Sequence, residues 1–292
     1  MFYLTVLLGL LIGRLLIKRH YRISKSLMVL LLYILLPLIV FKSLLDEVAI
    51  FRETFSVYAT FFLAGSAVSF LIAYFAIRLE DRVKRYTALL ASTLRNAFFI
   101  PISLVIALDL PEGAIIGVVA FTICYHLFQP FFTMFLAMRA HGSYATDVLI
   151  KGLTFPPLRA AIIGYLLGSR GFNFHLPAFH ELKLLSAYLS LLYVGIVLAK
   201  SPKVTKKDVS IIARVGLIRL LIVPLVLMPF YYYRPYPENV VIAREIGGPT
   251  SVSAVLYAVL FGFDDELMAK IVVYVTFIAI IVLPLRHLIL AP

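Results

Sequence analysis

The sequence predicts an all-α polytopic membrane protein, and two features indicate this fold class. Hydrophobic residues make up 62% of the 292 residues and charged residues only 14%, whereas soluble domains have about 45–50% apolar and about 25% charged residues. The apolar residues also form long runs, many of them near the roughly 20 residues that a membrane-spanning helix needs. A chain of this composition requires the lipid bilayer as its solvent, and the bilayer is its first expected partner.

Ten apolar runs are candidate transmembrane helices, and together they use nearly the whole chain. The loops between them are short and leave no room for a soluble domain. The first run lacks a basic region before it and a small-residue cleavage site after it, so we expect a retained span rather than a signal peptide. The ten runs cover residues 2–17, 24–45, 55–78, 86–108, 113–138, 153–169, 178–199, 209–232, 239–261 and 265–289.

Basic residues near the helix ends predict the orientation of these spans. Positive residues concentrate in cytoplasmic loops, and placing the N-terminus outside puts fifteen Lys and Arg residues inside against six outside. Both termini are therefore expected on the extracytoplasmic side of the plasma membrane. The same bias explains the net charge of +12, so no nucleic-acid partner is expected. The inside residues are Arg14, Lys18, Arg19, Arg22, Lys25, Arg78, Arg82, Lys84, Arg85, Arg139, Lys151, Lys200, Lys203, Lys206 and Lys207, and the outside residues are Lys42, Arg52, Arg170, Lys183, Arg234 and Arg286.

One loop on the predicted inside is acidic, Phe263–Asp264–Asp265–Glu266. Acidic residues contribute little to the positive-inside bias. Asp264 is well placed to cap the last helix, and Asp265 and Glu266 suit the positive end of that helix. We favour this capping role over a metal site, and the sequence predicts no metal or other cofactor.

Matching spacings suggest that the chain consists of two halves, residues 1–145 and 146–292. Glu112 precedes Pro130 by eighteen residues, and Glu266 precedes Pro284 by the same number. Five spans in each half would make the halves face opposite ways across the membrane. Interrupted segments at matching positions of two inverted halves are typical of the binding site of a transporter.

The fourth span contains the stretch STLRNAFFIPISL (92–104), which predicts a helix break at Pro101. Proline lacks a backbone N–H, and its ring disturbs the preceding helical turn. Arg95 and Asn96 lie near this break, and a charged side chain at membrane depth costs about 2.5 kcal/mol or more. We therefore expect both side chains to face a wet cavity or a partner. The alternative is a simple kink, with Arg95 reaching the interface or pairing with Glu245.

The ninth span contains AREIGGPTSV (243–252), a series that no helix favours in its middle. Gly247 and Gly248 free the backbone, and Pro249 suits the first turn of a new helix. Thr250 and Ser251 would then present hydroxyls and unpaired N–H groups at a helix start, which favours an anion. The alternative is an ordinary loop, although neither piece of this span is long enough to cross the bilayer alone.

Several stretches of the sequence resemble the auxin efflux carrier family, whose fold is related to that of the bile-acid/sodium symporters. The most specific is the C-terminal stretch REIGGPTSVSAVLYAVLFGFDDELMAKIVVYVTFIAIIVLPL (244–285), and the match extends over essentially the whole chain. The other stretches are LYILLPLIVFKSL (32–44), RNAFFIPISL (95–104) and FPPLRAAIIGYLLGSRGFNFHLP (155–177).

The resemblance implies ten transmembrane helices in a 5+5 inverted repeat, with a scaffold part and a core part that carries two crossed, broken helices, the fourth and the ninth. It also implies small organic anions as substrates, such as auxin, malate or malonate. Asn96 would contact the substrate, and Pro101 and Pro249 would mark the crossing. The family has Gly and Pro where this chain has Pro101 and Ser103, which places the break a half-turn earlier.

These observations predict a secondary transporter that moves a carboxylate-type organic anion by alternating access, driven by the membrane potential. The alternative is a sodium- or proton-coupled carrier of the same fold, with Glu245 as the intramembrane carboxylate. An enzyme is not expected, because the sequence has no HExxH, GxSxG or paired-aspartate motif. The substrate and the oligomeric state, a homodimer included, stay open. The predicted binding residues are Asn96, Arg95, Thr93, Thr250 and Ser251, with Tyr125 and Gln129 on one face of the fifth helix.

Overall fold

The computed structural model describes residues 2–15, 26–27, 29–46, 48–97, 99–108, 110–141, 156–198, 204–235, 237–251 and 253–290. Within these ranges the chain is helical, and its extended pairing is limited to one isolated antiparallel bridge between Arg95 and Thr250. The helices are α1 (Phe2–Leu15), α2 (a π turn Leu31–Leu35 followed by Leu36–Asp46), α3 (Val48–Ala76), α4 (Arg82–Thr93), α5 (Phe99–Ala107), α6 (Glu112–His141), α7 (Pro156–Gly168), α8 (Phe179–Leu198), α9 (Lys206–Tyr231), α10 (Glu238–Ile246), α11 (Ser253–Phe261) and α12 (Asp265–Leu290).

The helices correspond closely to the apolar runs of the sequence. Eight of the ten predicted spans contain one helix each, whereas the fourth is divided into α4 and α5 and the ninth into α10 and α11. Among the described residues, three segments are long and apolar enough to cross a membrane by themselves: Val48–Ala76, Lys206–Tyr231 and Asp265–Leu283. The chain is thus a helical membrane protein, while the inverted repeat stays a prediction. The boundary between the predicted halves, at 145/146, lies outside the described residues.

Two helices contain a π turn, and in both a proline follows it closely. The turn Leu31–Leu35 of α2 precedes Pro37, and the turn Ile218–Ile222 of α9 precedes Pro224. A proline removes one hydrogen bond of the helix, and its ring clashes with the carbonyl four residues earlier. A wider turn can relieve this clash, and in α9 the Val223 N–H donates to the carbonyl of Ile218, five residues earlier. Such π turns are frequent at functional sites.

The chain forms two compact units, each assembled from segments distant in the sequence. The first, unit 1, consists of residues 1–58, 98–123 and 154–200. Within it, α1 and α5 pack against α8, and α2 packs against α7. The second, unit 2, consists of residues 59–97, 124–153 and 201–292. Within it, α12 packs against α4, α9, α10 and α11.

In unit 1, two glycines bring the backbones of α2 and α7 together. A Cβ added at Gly164 would lie 2.5 Å from the carbonyl oxygen of Phe41, and one added at Gly168 would lie 2.6 Å from that of Leu45. The two glycines are four residues apart and form the G-x-x-x-G pattern that allows close packing of membrane helices. Here the pattern joins two helices of one chain.

In unit 2, three connections that the sequence assigns to the cytoplasm lie at the same end. Asp208 at the start of α9 pairs with Lys270 of α12 at 2.9 Å, and the Asp264 N–H donates to the Thr87 hydroxyl of α4 at 3.0 Å. The Asp264 carboxylate accepts from the Leu267 N–H at 2.8 Å, which confirms its predicted role as the N-cap of α12. The loops before α4, α9 and α12 therefore lie at the same end of unit 2.

Candidate functional site: two interrupted helices joined at their breaks

The fourth and ninth spans are interrupted near the middle of their length. Helix α4 has 12 residues, which corresponds to about 18 Å. Helices α10 and α11 have nine residues each, or about 14 Å. Each is roughly half the length needed to cross an apolar core of about 30 Å. In the predicted ten-span arrangement, the unwound residues between them lie at membrane depth, where their backbone groups need partners.

The two unwound segments of unit 2 provide these partners for each other. The Asn96 N–H donates to the Pro249 carbonyl at 2.7 Å, and the Ser251 N–H donates to the Leu94 carbonyl at 3.1 Å. These bonds enclose the antiparallel bridge between Arg95 and Thr250. A short β pairing thus replaces the helical hydrogen bonds that both spans lose at their breaks.

The last turn of α4 receives further donors from outside its own helix. Four C-terminal carbonyls of a helix lack intrahelical partners, and here the Ala91 carbonyl accepts from the Thr250 hydroxyl at 2.9 Å. The next carbonyl, that of Ser92, accepts from Nη1 of Arg219 at 2.7 Å. A buried hydrogen bond contributes a net of about 0.5–1.5 kcal/mol, and leaving its acceptor unsatisfied costs about 1–3 kcal/mol. The end of α4 is therefore held by both α9 and the ninth span.

Arg219 of α9 binds both interrupted spans. Its side chain is 1% exposed, and its guanidinium donates to the Ser92 carbonyl of the fourth span and to two carbonyls of the ninth. Nε donates to the Gly248 carbonyl at 3.0 Å, and Nη2 donates to the carbonyls of Gly248 and, at 3.2 Å, Pro249. The planar guanidinium has several donors in a fixed arrangement, so it can bind carbonyls of both spans at once.

Arg95 is fully buried, with an exposed fraction of 0%, so it does not reach the membrane surface. Its Nη2 donates to the Ser66 hydroxyl of α3 at 3.1 Å, and its Cζ lies 5.3 Å from the ring centroid of Phe62. Gly65 makes room for it, since an added Cβ would lie 2.8 Å from Nη1. Nε and Nη1 have no hydrogen-bond partner among the described residues. These two N–H groups are therefore free to donate hydrogen bonds to a bound ligand.

Two more polar side chains with unfilled groups lie beside Arg95. Asn96 is 2% exposed, and its Nδ2 has no acceptor within the described ranges. Glu245 is 0% exposed, and neither carboxylate oxygen accepts a hydrogen bond from a described residue. Glu245 attracts Arg95 electrostatically, but no hydrogen bond joins the two side chains. The predicted alternative, in which Arg95 is only paired with Glu245, is therefore not a hydrogen-bonded ion pair.

The remaining predicted binding residues are all buried in unit 2, with different surroundings. Tyr125 of α6 lies close enough to Arg95 and Arg219 for a Coulombic interaction, and Gln129 follows it by one turn. The Thr93 hydroxyl donates to the Leu89 carbonyl at 3.0 Å inside α4. The Thr250 hydroxyl is likewise occupied by the Ala91 carbonyl. Of the predicted set, Arg95 and Asn96 retain unfilled donors.

The structure corrects two details of the predicted breaks. Pro101 is the third residue of α5, so the fourth span unwinds before it, after Thr93. Its missing N–H is tolerated there because N–H groups in the first turn have no intrahelical acceptor. Pro249 lies within the unwound segment rather than in the first turn of α11, which begins at Ser253. Consequently the Ser251 N–H, predicted to be unpaired, donates across to Leu94.

Three residues that hold Arg95 and the break in place were not among the predicted site residues, namely Gly65, Ser66 and Arg219. Each had a local signal. Arg219 is the one charged residue between Val215 and Tyr233, with a proline five residues later. Gly65 and Ser66 are two adjacent small residues in the apolar helix α3. Their contacts with the fourth and ninth spans are long-range, so the sequence alone did not show their purpose.

The comparison with known protein families agrees with this geometry. A family model described as "Membrane transport protein" matches residues 3–286, nearly the whole chain. A search of curated proteins found no match. The family is one of transporters and not of enzymes. Two interrupted helices joined at their breaks are also the arrangement expected at the binding site of a transporter. The chain therefore belongs to the membrane transport protein family, the family of the auxin efflux carriers.

Proposed function

We propose that this transporter moves a small organic anion of the carboxylate type by alternating access. The observation that carries the proposal is the pair of buried side chains, Arg95 and Asn96, whose unfilled donors lie at the joined interruptions of two helices. A carboxylate accepts hydrogen bonds only, and an arginine fork binds it strongly. Auxin-like acids, malate and malonate all have the required group.

The charge around the interruptions supports an anion over a cation. Arg95, Arg219 and Arg244 are buried there, against one buried carboxylate, that of Glu245. A buried site with an excess of positive charge attracts negative solutes. Because Arg95 and Asn96 are shielded from solvent, a solute reaches them only when neighbouring segments move, which is what alternating access requires.

The membrane potential is sufficient to drive export of an anion. One elementary charge gains about 2.3 kcal/mol per 100 mV on crossing the membrane. We therefore propose efflux without an obligatory coupling ion, together with the 5+5 inverted repeat and the extracytoplasmic termini that the sequence predicts.

Replacing Asn96 by alanine is expected to reduce transport about tenfold or more, since a hydrogen bond to a charged group contributes about 1.5–3 kcal/mol. The measurement is flux of labelled malate, malonate and indole-3-acetate in proteoliposomes under an imposed potential. Asn173→Ala, in an exposed loop of unit 1, is the matched control and should behave as the unmodified protein. The proposal is wrong if none of the three acids moves, or if Asn96→Ala transports as well as the control.

A second candidate, proton-coupled transport, is favoured by one observation. Glu245 is a fully buried carboxylate without a hydrogen-bond donor among the described residues, and intramembrane carboxylates commonly carry protons in transporters. If transport is coupled in this way, a pH gradient drives it in the unmodified protein, and Glu245→Gln abolishes that dependence. Glu238→Gln, in the first turn of the same helix α10, is the control. Flux that ignores the pH gradient excludes this candidate.

A further inference from the structure

Arg219 occupies a position that has the chemistry of a cation site. Its guanidinium binds three backbone carbonyls, those of Ser92, Gly248 and Pro249. Ser92 lies in the last turn of α4, where the helix dipole places about half a negative charge. Gly248 and Pro249 belong to the unwound part of the ninth span. In transporters with broken helices, unwound carbonyls and helix C-termini are the groups that coordinate Na⁺.

The guanidinium is held there by a third element, α9, which is separate from both interrupted spans. Arg219 lies in the π turn Ile218–Ile222, which Pro224 favours by removing a helical hydrogen bond. The side chain is buried, so its charge is not screened by solvent. Its positive charge is thus a permanent part of the protein. It lies beside carbonyl groups of the kind that coordinate Na⁺ in transporters with broken helices.

We propose that Arg219 is a built-in cation of the joined interruptions and takes the place of a soluble coupling cation at these carbonyls. It is a positioning residue, because it holds the segments that carry Arg95 and Asn96 and does not itself need to contact the solute. The part of the proposal that concerns transport rests on the proposed function. The part that concerns the joined segments does not, and it is tested separately.

The first test uses thermal unfolding of the purified protein. The single cysteine, Cys124, is buried, so a thiol-reactive dye reports unfolding at one site. Arg219→Ala should unfold at a lower temperature than the unmodified protein, and millimolar guanidinium, far below denaturing concentrations, should restore part of the loss. Urea at the same concentration, which is neutral and similar in shape, should not. Arg214→Ala, an exposed arginine on the same helix, should show neither effect.

Two further variants separate charge from geometry. Arg219→Lys keeps the charge on a single ammonium, which cannot present donors in a planar fork to both spans. It should therefore be intermediate in unfolding temperature between the unmodified protein and Arg219→Met, which keeps the volume but loses the charge. The proposal is overturned if Arg219→Met unfolds as the unmodified protein does, or if guanidinium does not restore Arg219→Ala.

The transport test compares flux in Na⁺ with flux in choline. The unmodified protein should transport equally in both media, and Arg219→Met should lose about tenfold or more, as expected when a charged hydrogen bond is removed. If the unmodified protein requires Na⁺ for transport, the proposal that Arg219 takes the place of a coupling cation is overturned. If none of the candidate acids moves in any medium, the proposed function fails, whereas the guanidinium experiment still decides whether Arg219 acts as the cation of these carbonyls.

Discussion

Arg95→Gln is expected to lower transport by about 30-fold or more while the protein still reaches the membrane. A hydrogen bond between the solute and a charged group contributes about 1.5–3 kcal/mol, and about 1.4 kcal/mol corresponds to a factor of ten. The glutamine loses the positive charge and the unfilled donors Nε and Nη1. The measurement is initial flux in proteoliposomes at several substrate concentrations.

The control and the companion variants make this result specific. Arg82→Gln changes an exposed arginine at the start of the same helix α4 and should transport normally. Gly65→Val should impair transport although Arg95 is not replaced, because the valine side chain would occupy the space of the Arg95 guanidinium. If Arg95→Gln alone fails to fold, the double variant with Glu245→Gln removes both buried charges and should recover the fold. Full transport by folded Arg95→Gln contradicts the assignment.

Gly164→Ala is expected to destabilise unit 1 by about 1–3 kcal/mol, the usual cost of overpacking a core. The new methyl group would lie 2.5 Å from the Phe41 carbonyl oxygen and 3.1 Å from the Phe41 Cα. Both atoms belong to the backbone of α2, so relief requires that the two helices move apart. The measurement is the unfolding temperature of the protein, which is monitored by the reaction of a thiol-reactive dye with Cys124.

The matched control for Gly164 is Gly113, near the start of α6. A Cβ at Gly113 would meet nothing within 4 Å. Alanine is favoured over glycine in a helix by about 0.5–1 kcal/mol, so Gly113→Ala should stabilise the protein slightly. The two substitutions are chemically identical and should have opposite signs. Equal effects would show that helix propensity, and not the close approach of α2 and α7, determines the response.

Much of the fold and part of the site could be predicted from the sequence because the governing signals are local. The length of an apolar run predicts a span, since the bilayer fixes how many residues are needed. The series Gly247–Gly248–Pro249 predicts an interruption because these residues disfavour a continuous helix. Asp264 was correctly predicted as an N-cap for the same kind of reason. These conclusions depend on neighbours in the chain and on the solvent.

The tertiary structure decided which groups satisfy the interrupted backbone. Arg219 donates to the Ser92 carbonyl across 127 positions of the chain, and Thr250 to the Ala91 carbonyl across 159. A backbone group in lipid must have a hydrogen-bond partner. The sequence shows that a partner is needed but not which residue provides it. That choice depends on which distant helices are packed together. The composition and the apolar runs thus indicated a helical membrane protein, and the glycine and proline motifs indicated its two breaks. Packing alone determined that an arginine from a third helix holds those breaks together.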